Sequence, residues 1–156
     1  MIAAVAIPAI RVGTETALID QEDAWLFAEF DWHIQYTRGQ KYVWRRFREG
    51  GKLRKVYLHR IIMDTPPDFE TDHINRNGLD NRRANLRVCT PSQNQANSRK
   101  VGPSGVRGVY RKRGKWVASI RVRGRRIQVG TFETIIDAGA AYARAAKEYF
   151  GEFAKA

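Results

Sequence analysis

The chain has a single cysteine, Cys89, among 156 residues. That excludes an internal disulfide and a cysteine-rich zinc site, and it fits a reducing interior. Long apolar runs are also lacking: none approaches the ~20 residues that cross a bilayer as a helix. Met1 to Ile10 is apolar, but no basic residue precedes it as in a secretory leader. The expectation is a soluble, cytoplasmic protein with no membrane association. Acidic residues are missing from one long stretch. From Val101 to Thr131 there are nine basic residues and no acidic one.

What is present is a core-forming, strongly basic composition. Hydrophobic residues make up 43% of the chain, so it can bury a core and is not a disordered tail. The formal net charge is +12 and the pI about 10.3. Residues 1–50 carry a net charge of −1, residues 51–100 carry +5, and residues 101–156 carry +8. A positive charge concentrated in this way suits a polyanion, and the ordinary polyanion is nucleic acid.

Three sections follow one another. In residues 1–60, Ala3–Ile10 and Ala17–Ile19 read as strands and Asp20–Phe30 as a short helix. Gln40–Phe47 and Lys52–Ile61 read as a hairpin closed by Glu49-Gly50-Gly51. Trp25, Trp32, Tyr36, Trp44 and Tyr57 are expected in the core, and His33 is expected to be structural. In residues 61–100, Thr71–Ile74 and Leu86–Cys89 flank the loop 75–85, in which Asp80-Asn81-Arg82-Arg83 reads as an exposed turn. A helix begins after Thr90, with Pro91 at its first position and Gln93 completing a capping box. Residues 101–105 read as a linker. In residues 106–156, Val106–Arg111, Trp116–Val122 and Arg125–Val129 are alternating strands. Thr134–Phe150 is a helix with Ile135, Ala138, Ala141, Tyr142, Ala145 and Tyr149 on one side, ending at Gly151.

Asp72-His73 on a strand, Asn85 twelve residues after His73, and Asn94 twenty-one after it on the capped helix form a spaced set. Taken singly, each reads as an ordinary structural or solvated residue. With Gln93-Asn94-Gln95-Ala96-Asn97, the set resembles the HNH nuclease motif, in the subgroup of phage and intron homing endonucleases. The resemblance covers roughly Tyr57 to Asn97. It implies a ββα-metal unit and cleavage leaving 5′-phosphate and 3′-hydroxyl ends. It makes Asn85 the middle residue, which orients the base and ties the loop to the strand.

The residue types suit the chemistry. Asp72 and the Asn94 amide oxygen are hard donors for Mg²⁺ or Mn²⁺, one ion per active site, with phosphate and water completing the shell. Without a cysteine cluster, zinc is disfavoured. His73 titrates near neutrality and suits a general base acting on water. Alternation points it away from Asp72, so it reaches the cleft only if the strand ends or twists there. Asn97, one turn beyond Asn94, can face the same cleft. His59 either supports the site or is a packed strand residue, with the packed role slightly favoured.

Arg107-Gly108-Val109-Tyr110, Lys115 to Ile120, Val129-Gly130-Thr131-Phe132 and Ala140-Ala141-Tyr142 resemble an AP2/ERF DNA-binding domain, nearly throughout residues 106–156. That resemblance implies a three-stranded sheet laid on the major groove with a helix on its back. Trp116, Ala118, Ile120 and Val122 suit the helix side, and Val117, Ser119 and Arg121 suit DNA. Arg107, Arg121 and Arg126 fall where the family uses arginine on DNA. Lys112, Arg113, Arg123 and Arg125 near the turns are assigned to phosphate. The first inter-strand loop is short, Tyr110 stands where arginine is usual, and Gln128 stands where an aromatic is usual.

The fold class expected is α+β. A mixed N-terminal nuclease domain, residues 1–100 with a ββα core at about 70–100, precedes a three-stranded antiparallel sheet packed on one helix at 106–156. The function expected is metal-dependent, homing-type cleavage of double-stranded DNA, with no obligate protein partner evident. The rival readings are a non-enzymatic DNA-binding regulator with an inactive nuclease module, and an RNA-acting protein. The A-form major groove argues against the latter.

Overall fold

A computed structural model describes residues 8–37, 39–98 and 101–154. The protein is mixed α/β, with several small antiparallel sheets and four helices. It divides into two compact units, residues 1–88 and 89–156.

The first unit opens with a hairpin of β1 (Ala9–Val12) and β2 (Glu15–Leu18). A 3₁₀ turn at Gln21–Asp23 leads into α1 (Trp25–Glu29). The antiparallel sheet that follows contains β3 (His33–Thr37), β4 (Gln40–Glu49) and β5 (Lys52–Tyr57), with β4 in the middle. Then come α2 (Leu58–Ile62) and the strand pair β6 (Glu70–His73) with β7 (Leu86–Cys89). Ala17, Ile19, Leu26, Trp32, Val43, Leu58, Ile62 and Leu86 share one core. Burial of this apolar set is the main favourable term for the unit.

Four expectations change here. The strand expected over Lys52–Ile61 stops at Tyr57, because Leu58 and Ile62 are both buried at helical spacing and α2 supplies that spacing. Strand β3 was not expected at all. The first strand lies at Ala9–Val12, and residues 3–7 of the expected Ala3–Ile10 fall outside the described residues. Trp25 and Tyr36 are exposed (51% and 62%), not in the core. Trp25 meets Phe30 edge-on, and the Tyr36 hydroxyl donates to Glu15.

In the second unit α3 (Pro91–Asn97) begins with the expected capping box. The Thr90 hydroxyl accepts from the Gln93 N–H at 3.3 Å, and the Gln93 side chain accepts from the Thr90 N–H at 2.8 Å. The antiparallel sheet contains β8 (Val109–Lys112), β9 (Lys115–Val122) and β10 (Arg125–Phe132), with β9 central. Its two hairpins turn at Arg113-Gly114 and Arg123-Gly124, all four residues with positive φ, the mirror-image turn that matches strand twist. Helix α4 (Ile135–Phe150), capped by Thr134, covers one face.

Ala138, Ala141, Ala145 and Ala146 present little bulk, so α4 packs closely on Val109, Ala118 and Ile120. Ala96 of α3 joins the same core. Gly108 has φ +67, and a Cβ there would overlap the Tyr142 ring and lie 2.6 Å from the Ser119 carbonyl. Tyr142, Tyr149 and Phe150 were all expected in the core; Tyr142 and Phe150 are buried there, but Tyr149 is 45% exposed. Val117 and Ser119, expected to face DNA, are buried, so of the three β9 residues assigned to DNA only Arg121 is exposed. Among the described residues no helix is long and apolar enough to cross a membrane.

Candidate active site

The segment between β6 and β7 is fixed by its asparagines. Strand β6 ends at His73, and Arg76 adopts φ +63 to turn the chain. The Asn75 side chain accepts from the Asn77 N–H at 2.8 Å and donates to Asp80 at 2.8 Å. Asn85 spans the loop. Its oxygen accepts from the Asn75 N–H at 3.0 Å, and its amide donates to the Asn75 side chain at 3.0 Å and the Asp80 carbonyl at 2.7 Å. Each bond satisfies a backbone or amide group that would otherwise be costly to bury.

The loop is also pinned from outside. Leu18 of β2 donates its N–H to the Leu79 carbonyl, and its own carbonyl accepts from Asn81, both at 2.8 Å. Arg83 clamps Asp23 through Nε and Nη2, at 3.0 and 2.7 Å. The exposed turn expected at residues 80–83 is therefore corrected. Asp80 and Asn81 are buried, held by backbone pairing to β2 and by the Arg82–Asp80 ion pair at 2.7 Å.

This framework delivers Asn81 to His73, with Asn81 Oδ1 lying 3.3 Å from His73 Nε2. The His59 ring meets the His73 ring edge-on at 4.9 Å. Tyr57 stacks on His59 at 5.4 Å, and Tyr42 lies 6.0 Å from both imidazoles. His59 is thus placed beside His73 from α2, not from a strand. Gly78 lets the loop approach this cluster, since a Cβ there would lie 2.6 Å from the Tyr42 ring and against the Lys41 carbonyl.

Burial lowers the His73 pKa below the ordinary histidine value, and Asn81, Asp72 and Asp80 partly oppose it. Burial, with His73 and Arg60 adding to it, lowers His59 to about 3. Both rings are therefore neutral at pH 7, the form in which an imidazole accepts a proton. Nδ1 of His59 is buried with no hydrogen-bond partner among the described residues.

Asp72 meets different partners from His73. Its Oδ2 accepts from Nε and Nη2 of Arg87 on the neighbouring strand, at 2.9 and 2.8 Å. Asn94, half-buried, and Asn97, buried, belong to α3 in the second unit. There the Arg107 guanidinium donates to the carbonyls of Ala96 at 2.7 Å and Ser98 at 2.6 Å, and to that of Gln95. The DNA contact expected of Arg107 is corrected on this ground. Its donors serve the last carbonyls of α3, of which that of Gln95 also accepts from the Ser98 N–H at 3.1 Å. Lys112, Arg113, Arg121, Arg123, Arg125 and Arg126 are all exposed.

Residues 56–96 match the family model described as HNH endonuclease. This segment is similar to HNH endonuclease domains. It runs from the end of β5 to α3 and contains His59, Asp72, His73, Asn85 and Asn94. An uncharacterized HNH endonuclease of Acanthamoeba polyphaga mimivirus is 35% identical over 125 residues, 73% of this chain. The chain spans 66% of that relative's length.

Three residues around the candidate site were not assigned a role from sequence. Asn81 sits among Asn75, Asn77 and Asn85, and nothing in the spacing distinguishes it. Tyr42 lies far upstream of the motif. Arg87 was legible in principle, as a basic residue on the strand that returns alongside Asp72.

Proposed function

We propose that this protein hydrolyses phosphodiester bonds of duplex DNA, as a homing-type HNH endonuclease, with His73 as general base. The observation that carries this reading is the state of His73 within the matched segment. Its ring is oriented by Asn81, kept neutral by burial, and set at the point where β6 ends. A base for water must be neutral and held in position, and burial with the Asn81 contact supports both for His73.

HNH endonucleases are generally dependent on a divalent metal. Asp72 and the Asn94 amide are each an oxygen donor of the type that a hard cation of the Mg²⁺ or Mn²⁺ kind takes. Oxygen donors suit these ions better than sulfur or imidazole does. The ion, when bound, supplies charge stabilisation at the leaving oxygen. Arg87 fixes the orientation of Asp72. Asn85 holds the loop that carries Asn81, and so acts on His73 through its neighbour.

The C-terminal region, with its AP2/ERF resemblance, supplies affinity. The sheet face opposite α4 carries Arg121 and Arg126 as direct cross-strand partners, with Arg126 over the Tyr110 ring at 5.9 Å. Two like charges side by side are unfavourable in isolation and favourable against phosphate. Lys112, Arg113, Arg123 and Arg125 extend the charge along the turns. Joining two DNA contacts in one chain raises effective affinity and sets where the cut falls.

The test is nicking of supercoiled plasmid with Mg²⁺, with EDTA, and with His73→Ala or Asn94→Ala protein. Metal-dependent cleavage by the wild type alone is the expected result. Cleavage surviving both substitutions would overturn the site. Duplex binding without any cleavage would favour a non-enzymatic DNA-binding protein.

A further inference from the structure

The second positive surface of this molecule lies in its first unit, where the bulk charge of the sequence conceals it. Residues 40–55 contain seven basic residues and one acid, Glu49. Pairing of β4 with β5 sorts them into two faces. Trp44 lies opposite Tyr57, Arg46 opposite Lys55, and Arg48 opposite Leu53. By alternation, Tyr42, Trp44, Arg46 and Arg48 share one face with Leu53, Lys55 and Tyr57. Lys41, Arg45, Lys52 and Arg54 lie on the other.

The two faces are treated differently. On the second, Lys41 pairs with Glu15 at 2.8 Å, Arg54 pairs with Glu49 at 3.4 Å, and the Arg45 guanidinium stacks 3.8 Å from the Phe30 ring centroid. On the first, Arg46, Arg48 and Lys55 are exposed and have no acidic partner among the described residues. The Arg46 and Lys55 cations stand over aromatic rings instead, and Arg48 donates to the Gly51 carbonyl at 3.4 Å. Lys55 lies 4.2 Å from the Trp44 ring centroid and 4.8 Å from that of Tyr57, and Arg46 lies 5.4 Å from Trp44. Arg46 and Lys55 are also direct cross-strand neighbours of like charge, an arrangement that opposes folding. Lys55 also donates to the Gln35 side-chain oxygen, so among the described residues only neutral groups meet these cations and their charge is left for a partner.

The face leads to the candidate catalytic residues. Tyr57 stacks on His59, which meets His73, and Tyr42 lies beside both rings. From Tyr42 to Arg48 a strand covers about 20 Å. Phosphates recur at about 3.4 Å along each strand of a duplex, so several fall within reach.

We propose that this face of the β4–β5 hairpin is a DNA-backbone-binding surface, which grips the phosphates flanking the bond presented to His73. The proposal rests on the reading of the protein as a DNA-acting nuclease. It adds a contact in the first unit, independent of the basic sheet in the second. The aromatic rings position the cations and shield them on one side, while the phosphates supply the missing counter-charge.

The test compares two double variants of the full chain that remove equal charge, Arg46→Ala/Lys55→Ala on this face and Lys52→Ala/Arg54→Ala on the other. Binding to a defined duplex is measured in EDTA, so that catalysis plays no part. The first variant should bind about tenfold or more weakly at moderate salt, with the slope of log K against log salt reduced by about 2. Its footprint should shorten on one side. Its unfolding temperature should stay close to that of the wild type, because the lost cation–ring contacts and the relieved repulsion oppose each other, and that guards against a folding artefact. The second variant should change binding much less. Equal effects from the two variants, or no change in slope for the first, would overturn the proposal. Absence of cleavage by the wild type in Mg²⁺ would instead remove the nuclease reading, and the binding contrast would still decide the hairpin's role.

Discussion

Arg87 holds Asp72 from the neighbouring strand, through two guanidinium nitrogens at 2.9 and 2.8 Å from the same carboxylate oxygen. Both side chains are nearly buried, at 11% and 6% exposure. Removing Arg87 takes both of these hydrogen bonds from a buried carboxylate. Arg87→Ala should therefore destabilise the protein by roughly 3–5 kcal/mol, read from urea unfolding. Arg87→Lys should recover part of that loss, because lysine offers charge without the fork. A loss below about 1 kcal/mol would mean that solvent screens the pair.

His73 and Asn81 make separable predictions. His73→Ala should lower the cleavage rate by roughly 10²–10⁴ while duplex binding is retained. Asn81→Ala removes the group that orients the ring but leaves the base, so its rate loss should be smaller. Single-turnover cleavage at saturating DNA checks both. An Asn81→Ala rate equal to that of the wild type would show that the ring needs no such partner.

Acid should destabilise the first unit through His59. Its folded-state pKa of about 3 lies below the unfolded value near 6.5. Between these values the unfolded chain binds a proton that the folded chain does not. The contribution is therefore fully present above pH 6.5 and is lost as pH falls toward 3, at up to about 1.4 kcal/mol per pH unit. Urea unfolding across that range should show the slope, and His59→Phe should flatten it. A slope unchanged in the variant would assign the acid sensitivity to other groups.

Arg107 and Arg121 should behave oppositely. Arg107 serves the α3 carbonyls, whereas Arg121 is exposed on the sheet. Arg121→Ala should reduce the salt slope of DNA binding by about 1 with little change in stability. Arg107→Ala should lower stability, leaving charged-group hydrogen bonds unmade at about 1.5–3 kcal/mol each as an upper range. A salt slope that falls as much for Arg107→Ala as for Arg121→Ala would restore Arg107 to the DNA surface.

Much of the local structure was legible because it depends on near neighbours. The Thr90–Gln93 capping box, the Arg113-Gly114 and Arg123-Gly124 turns and the alanine-lined α4 follow from residues a few positions apart. The spacing of Asp72, His73, Asn85 and Asn94 was likewise visible as a pattern. Tyr57 misled the strand assignment because β-forming residues run into α2 without a break, and only burial of Leu58 with Ile62 sets the change. The hairpin charge was hidden by averaging, since acids elsewhere in residues 1–50 cancel Lys41, Arg45, Arg46 and Arg48 in the count.

The linear order of residues determined which groups are available: a histidine at a strand end, an asparagine-rich loop, a helix with a marked start, and a basic C-terminal meander. Tertiary structure decided what each one meets. Asn81 rather than Asn75 or Asn77 reaches His73, because β2 pins the loop at Leu79 and Asn81. Arg107 is turned to helix carbonyls while Arg121 stays in solvent, because backbone acceptors at the end of α3 lie within its reach. Capping and turn preferences act over three or four residues and can be read along the chain. Hydrogen-bond partners and desolvation depend on segments far apart in sequence, and only their packing determines them.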